Sequence, residues 1–107
     1  MTALKSVMPV EAKRWIDEGR AVLIDIRERD EHARESIDAA CLSSLSCFVP
    51  AEVSGDRGKI AIFHCKSGMR TQTNARRLAE CGFADAYYLA GGIEAWKRAG
   101  YPVRTSR

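Results

Sequence analysis

Apolar residues follow two rhythms along this chain. Val22-Leu23-Ile24 and Ile60-Ala61-Ile62-Phe63 are continuous apolar runs. Short runs of this kind predict strands covered on both faces, as in a parallel sheet. Ala12, Trp15 and Ile16, and later Ala75, Leu78, Ala79 and Cys81, recur instead at helical spacing. The pattern predicts a short strand over 3–7, a helix over 9–18 opened by Pro9 and stopped by Gly19, and a strand over 21–26. A short helix over 30–34 follows. Next come a strand over 41–45 and a loop or helical excursion over 46–56, broken by Pro50 and Gly55. A strand over 59–64, a helix over 71–81 ended by Gly82, a strand over 86–89 and a helix over 93–99 complete the series. Strands alternating with helices predict an α/β domain. Its sheet should be mainly parallel, with about five strands, helices on both faces and right-handed crossovers.

One stretch carries chemistry. His64-Cys65-Lys66-Ser67-Gly68-Met69-Arg70-Thr71 follows an apolar strand and precedes a helix. Open α/β sheets hold their ligands at the carboxyl ends of strands. Backbone N–H groups at a helix start stabilise an anion, including a thiolate. Gly68 allows the backbone to turn tightly and close on whatever Cys65 carries. Lys66 and Arg70 add positive charge to the same turn. His64 precedes the cysteine on the strand, so its side chain should point to the opposite face. It reads as a packed strand-end histidine rather than as the base of a Cys–His pair.

Length and composition narrow the class. A chain of 107 residues predicts one domain spanning 1–107 with a modest core. A net charge of +3, with no basic run, gives no reason to expect nucleic acid. No run approaches the roughly 18 apolar residues a membrane helix needs. Cys41, Cys47, Cys65 and Cys81 form no Cys-x-x-Cys pair and no zinc spacing. With no visible signal peptide they indicate thiols in a reducing compartment. Cys81 falls in a buried helical stripe. Nothing in the sequence places Cys47 beside Cys65. Neither a metal nor an organic cofactor is expected.

The Cys-x-x-Gly-x-Arg turn after a buried strand resembles the active-site loop of the rhodanese family, the thiosulfate sulfurtransferases. Cysteine phosphatases use Cys-x5-Arg, one residue longer. Two further motifs agree in order and spacing. Asp25 and Arg27 end the second strand and are followed by Glu31 and His32, similar to the family's Asp-x-Arg and its acidic-aromatic or acidic-His pair. Gly91-Gly92-Ile93-Glu94-Ala95-Trp96 resembles the family's carboxyl-terminal motif. The likeness covers about 9–103. It departs at Glu35-Ser36-Ile37-Asp38-Ala39-Ala40, where the family usually reads Gly-His-Ile-Pro-Gly-Ala. That puts the local turn in question and leaves the chemistry untouched.

The resemblance implies a rhodanese-like fold and a sulfurtransferase. Cys65 would be the catalytic nucleophile. Lys66, Ser67, Gly68, Met69 and Arg70 would line the substrate loop, with Asp25 and Arg27 supporting it. The partners would be thiosulfate or a persulfide donor, and a thiol or protein sulfur acceptor, with cyanide serving in the assay. The likeness is nearest to bacterial rhodanese domains that precede a membrane anchor. It implies a cytoplasmic protein, tethered to the inner membrane if the chain is a domain cut from a longer one. Two other classes stay open: a sulfur-carrier or interaction module, and a phosphatase or arsenate reductase on the same fold.

Overall fold

The computed structural model describes residues 4–106. Five strands form one sheet in the order β1-β6-β5-β2-β4. They are β1 (Lys5–Val7), β2 (Ala21–Asp25), β4 (Ala40–Leu42), β5 (Ile60–His64) and β6 (Asp85–Leu89). Every pairing in that sheet is parallel. Residue 3, placed in the first strand from sequence, lies outside the described residues. The central strands β2 and β5 are the continuous apolar runs, because only a strand covered on both faces can bury every side chain.

Alternation along the strands divides the core into two layers. Leu23, Ile62 and Leu89 pack with Ala12 of α1 (Pro9–Asp17) and with Ile93 and Trp96 of α5 (Gly92–Arg98). Ile24, Ala61 and Phe63 face the other way, toward Leu78 and Cys81. Trp15 packs edge-on against Tyr87 with ring centroids 5.0 Å apart, so it serves the core. Phe83 packs back on Phe63, as the Gly82 stop suggested. Cys81 is buried, and burial pushes its thiol pKa up.

Three elements differ from the sequence expectation. The helix expected over 71–81 is two short pieces, α3 (Met69–Thr73) and α4 (Ala75–Ala79). Asn74 divides them. Its side-chain amide donates to Arg70 O at 2.9 Å, competing with the backbone for the same carbonyl. The strand expected over 41–45 is Ala40–Leu42, and Leu45–Cys47 turns into a 3-10 segment. The excursion beyond it is held by Arg57, whose guanidinium donates to Pro50 O, Val53 O, Gly55 O and Cys81 O. Finally, β3 (Glu35–Ser36) and β7 (Arg104–Thr105) form a small antiparallel pair. It involves the stretch where the chain departs from the family pattern. Asp38 there pairs with Arg104.

Candidate active site

Cys65 stands just past the carboxyl end of β5, with 1 % of its surface exposed. The turn that follows is short. Gly68 has φ +99°, which favours glycine, and α3 begins at the next residue. Met69 and Arg70 therefore belong to the first helical turn rather than to the loop. The Gly68 N–H points at Cys65 Sγ at 3.1 Å. Thr71 Oγ1 lies 4.0 Å from the same sulfur and donates to Gly68 O at 2.8 Å. A threonine directly after the motif arginine was the available sequence signal for Thr71.

A second element fixes the turn from behind. Ile93 N–H donates to Cys65 O at 3.0 Å, and Glu94 N–H donates to Lys66 O at 3.1 Å. Both carbonyls thus face α5. A planar trans peptide points its N–H opposite to its C=O, so the N–H groups of Lys66 and Ser67 are turned away from α5. Gly92 permits this contact. A Cβ there would stand 2.4 Å from Lys66 O and 2.6 Å from Cys65 O, and φ is +61°. The Gly-Gly pair seen in the sequence is a seat for the loop backbone.

The expected cations are both present, and each has a carboxylate beside it. Lys66 is 64 % exposed, with Nζ 3.9 Å from Glu94. Arg70 makes a bidentate pair with Glu31, both contacts 2.8 Å. That pair draws α2 (Arg29–Arg34) against α3. The Arg70 hydrogen bonds outweigh partial burial and hold the Glu31 pKa at about 2. Ser67 is exposed, and Met69 projects outward at 69 % exposure.

Asp25 and Arg27 meet beneath the loop. Asp25 is fully buried at the end of β2. Arg27 donates to it from Nε (3.0 Å), Nη2 (2.8 Å) and the backbone N–H (2.9 Å), and His32 Nδ1 lies 2.8 Å from Oδ2. Burial alone would raise the carboxyl pKa, but these partners overcome it and hold it at about 2. Arg27 Nη2 also donates to Glu35 O at 2.7 Å. The two residues bind each other and the Glu35 carbonyl, and neither hydrogen-bonds Cys65.

His64 is fully buried and directly opposite Asp25 in the β2–β5 register. Its Nδ1 sits 3.1 Å from Cys65 O. The larger of two neighbouring clefts, about 410 Å³, lies by Cys47 and the 43–46 serines and is not lined by Cys65. A smaller one of about 190 Å³ runs past Arg27, Glu31, Lys66 and Glu94, beside the loop. Among the described residues, no cluster of side chains has the makings of a metal site, and no helix is long and apolar enough to cross a membrane.

A cysteine stands at a strand end, followed by a tight glycine turn and an arginine five residues on. The rhodanese-like domain family matches residues 8–99. The chain belongs to that family. Its curated relatives include the thiosulfate sulfurtransferase GlpE of Coxiella burnetii, 30% identical over 93 residues, which are 87% of each chain. A probable adenylyltransferase/sulfurtransferase, MoeZ, of Mycobacterium tuberculosis is 33% identical over 100 residues. That match covers 91% of this chain but only 26% of MoeZ. Among solved structures, the rhodanese-like domain of an Anabaena protein superposes with a TM-score of 0.79 at 21% identity, covering 94% of this chain and 79% of the other. A rhodanese-related protein of Thermoplasma volcanium gives 0.76 at 23% identity, covering 95% and 99%. These likenesses bear out the rhodanese-like α/β fold.

Proposed function

We propose that this rhodanese-like domain moves a sulfane sulfur from thiosulfate, or from a persulfide donor, to a thiophilic acceptor through a persulfide on Cys65. The observation that carries the reading is the Gly68 N–H aimed at Cys65 Sγ, in a turn whose carbonyls are tied back to α5. A persulfide sulfur bears negative charge and needs donors and no metal.

The Cys65 thiolate attacks the outer sulfur of thiosulfate. The S–S bond of thiosulfate breaks, its electron pair leaves with sulfite, and Cys65 holds the outer sulfur as a persulfide anion. A second nucleophile then takes that sulfur and returns the thiolate. With cyanide the product is thiocyanate; with a thiol it is a new persulfide. Charge and atoms balance in both steps, and ping-pong kinetics follow from the covalent intermediate.

The backbone N–H groups of residues 66–70 are the proposed sulfur cradle. Lys66 draws in the anionic donor, Arg70 with Glu31 holds the helix start in place, and Ser67 and Met69 shape the mouth. Asp25 and Arg27 keep the two strand ends together underneath. Four free thiols suit the reducing cytoplasm.

A second reading is favoured by one observation. Cys65 is almost covered, and the nearest cations already have carboxylate partners. Those features suit a carrier loaded by a protein persulfide. Intact mass after incubation with thiosulfate separates the readings, beside a Cys65→Ser control. A gain of one sulfur atom, absent in the control and discharged by cyanide, is the expected result. No gain from thiosulfate, with loading from a protein persulfide, would favour the carrier. No sulfur from either would defeat both.

A further inference from the structure

The transfer scheme leaves the buried imidazole next to Cys65 unused. His64 is fully buried, and its Nδ1 lies 3.1 Å from Cys65 O. A carbonyl oxygen can only accept, so Nδ1 carries the ring proton. Burial pushes the imidazole pKa down, against the pull of Asp25, which leaves the ring neutral with that single proton. Nε2 is then a bare lone pair. It stands 3.8 Å from Asp25 Oδ1, too far for a hydrogen bond, and has no partner. The groups around it are Asp25, Arg27 and His32, already bonded to one another. An orphaned buried polar atom is a cost that an apolar side chain of similar size would not carry. For packing alone, leucine would serve better. The Nδ1–H is what distinguishes the histidine.

That N–H acts on a particular peptide. Cys65 O accepts from Ile93 N–H at 3.0 Å as well as from His64. Two donors occupy both lone pairs and hold the Cys65–Lys66 peptide plane from two sides. Its own N–H, on Lys66, is fixed pointing the other way. We propose that His64 is a positioning residue for sulfur transfer: its Nδ1–H, together with the Ile93 N–H, locks the Cys65–Lys66 peptide so that the Lys66 N–H stays turned away from α5, where it is free to donate to sulfur held on Cys65. This rests on the reading of Cys65 as the sulfur carrier. It gives His64 no role as a base, since both ring nitrogens are directed elsewhere.

Three variants test it. Asparagine places an amide N–H close to where Nδ1 stands; glutamine places one near Nε2, facing Asp25; leucine places none. Two quantities are read: the rate of persulfide formation from thiosulfate, by intact mass, and the backbone 15N resonance of Lys66 in the free protein. The His64→Asn variant should load within about threefold of wild type and keep the Lys66 resonance. His64→Gln and His64→Leu should load about tenfold more slowly, less than the loss of a direct donor costs. Their half-saturating thiosulfate concentration should change little, because the donor is not bound by His64. The Lys66 resonance should move in both. The melting temperature of His64→Leu should not fall in step with its rate. Equal behaviour of the Asn and Gln variants, or a Leu variant that loads like wild type, overturns the inference. So does failure of all three to fold, which would assign His64 to the core alone. A wild-type protein that takes no sulfur would defeat the transfer reading itself. The Lys66 resonances would then still decide whether His64 holds that peptide.

Discussion

Two arginine–carboxylate pairs stand at the carboxyl end of the sheet, and both carboxyls sit at about 2. They arrive there differently. Asp25 is wholly buried, so its desolvation must be overcome, chiefly by the hydrogen bonds from Arg27. Glu31 is 22 % exposed, and its single bidentate bond with the 36 % exposed Arg70 dominates. Similar pKa values therefore carry unequal meaning. A buried pair cannot lose one member without stranding a charge away from water. A half-wet pair can, because water takes over. The first pair belongs to the buried fold, and the second ties α2 to the helix start after the cysteine turn.

Removing Asp25 should break the comparison most sharply. Asp25→Ala leaves the Arg27 guanidinium buried without its carboxylate partner and should destabilise the domain by about 3–5 kcal/mol. Urea unfolding measures it. A loss under 1 kcal/mol would mean Arg27 finds another acceptor and the two pairs are alike.

Acid should act on the same side. The Asp25 carboxyl is depressed in the folded chain from an ordinary 3.8 to about 2. Its contribution is therefore full above about pH 4 and is lost as pH falls toward 2. By linkage that is roughly 2–3 kcal/mol. Urea midpoints collected from pH 5 to pH 2 should decline over that window. The Asp25→Ala variant should show a shallower decline.

Arg70→Ala should separate the regions by the opposite signature. Its stability cost should stay below about 1 kcal/mol, since solvent screens the pair. Persulfide loading from thiosulfate should slow by about tenfold, through a helix start no longer held against α2. A large stability loss with normal loading would reverse the assignment. The smallest effect belongs to Glu31→Gln. It releases the Arg70 charge toward an anionic donor, so the half-saturating thiosulfate concentration should fall about twofold, with little change in the limiting rate. A rise instead would show that the bridge chiefly orients the loop.

The contrast also marks what could be read from the chain in advance. Strands β2 and β5 were legible because burial on both faces leaves an unbroken apolar run. The cysteine turn was legible because one glycine and one arginine at fixed spacing describe it locally. The Arg70–Glu31 pair was not, because 39 residues separate its members and each alone looks like a solvated charge. The divided helix escaped notice because Asn74 sits in an otherwise regular stripe, and its competition for Arg70 O is a matter of rotamer. The β3–β7 pair escaped because two-residue strands have no period to detect. Gly92 was recognised as part of a motif. Its close approach to Lys66 O exists only once the chain has folded.

The seat at Gly92 also limits how this loop could be rebuilt. Cys65 O and Lys66 O are fastened to Ile93 and Glu94, and Gly92 leaves no slack between the two backbones. A residue inserted between Cys65 and Lys66 would have to tear those bonds or lift α5 from the sheet. One inserted after Lys66 leaves both carbonyls fastened and would enlarge the turn on its open side. A designer converting this pocket to the longer spacing of a phosphate-binding loop would therefore enter the turn after Lys66 and before Met69, where the helix begins.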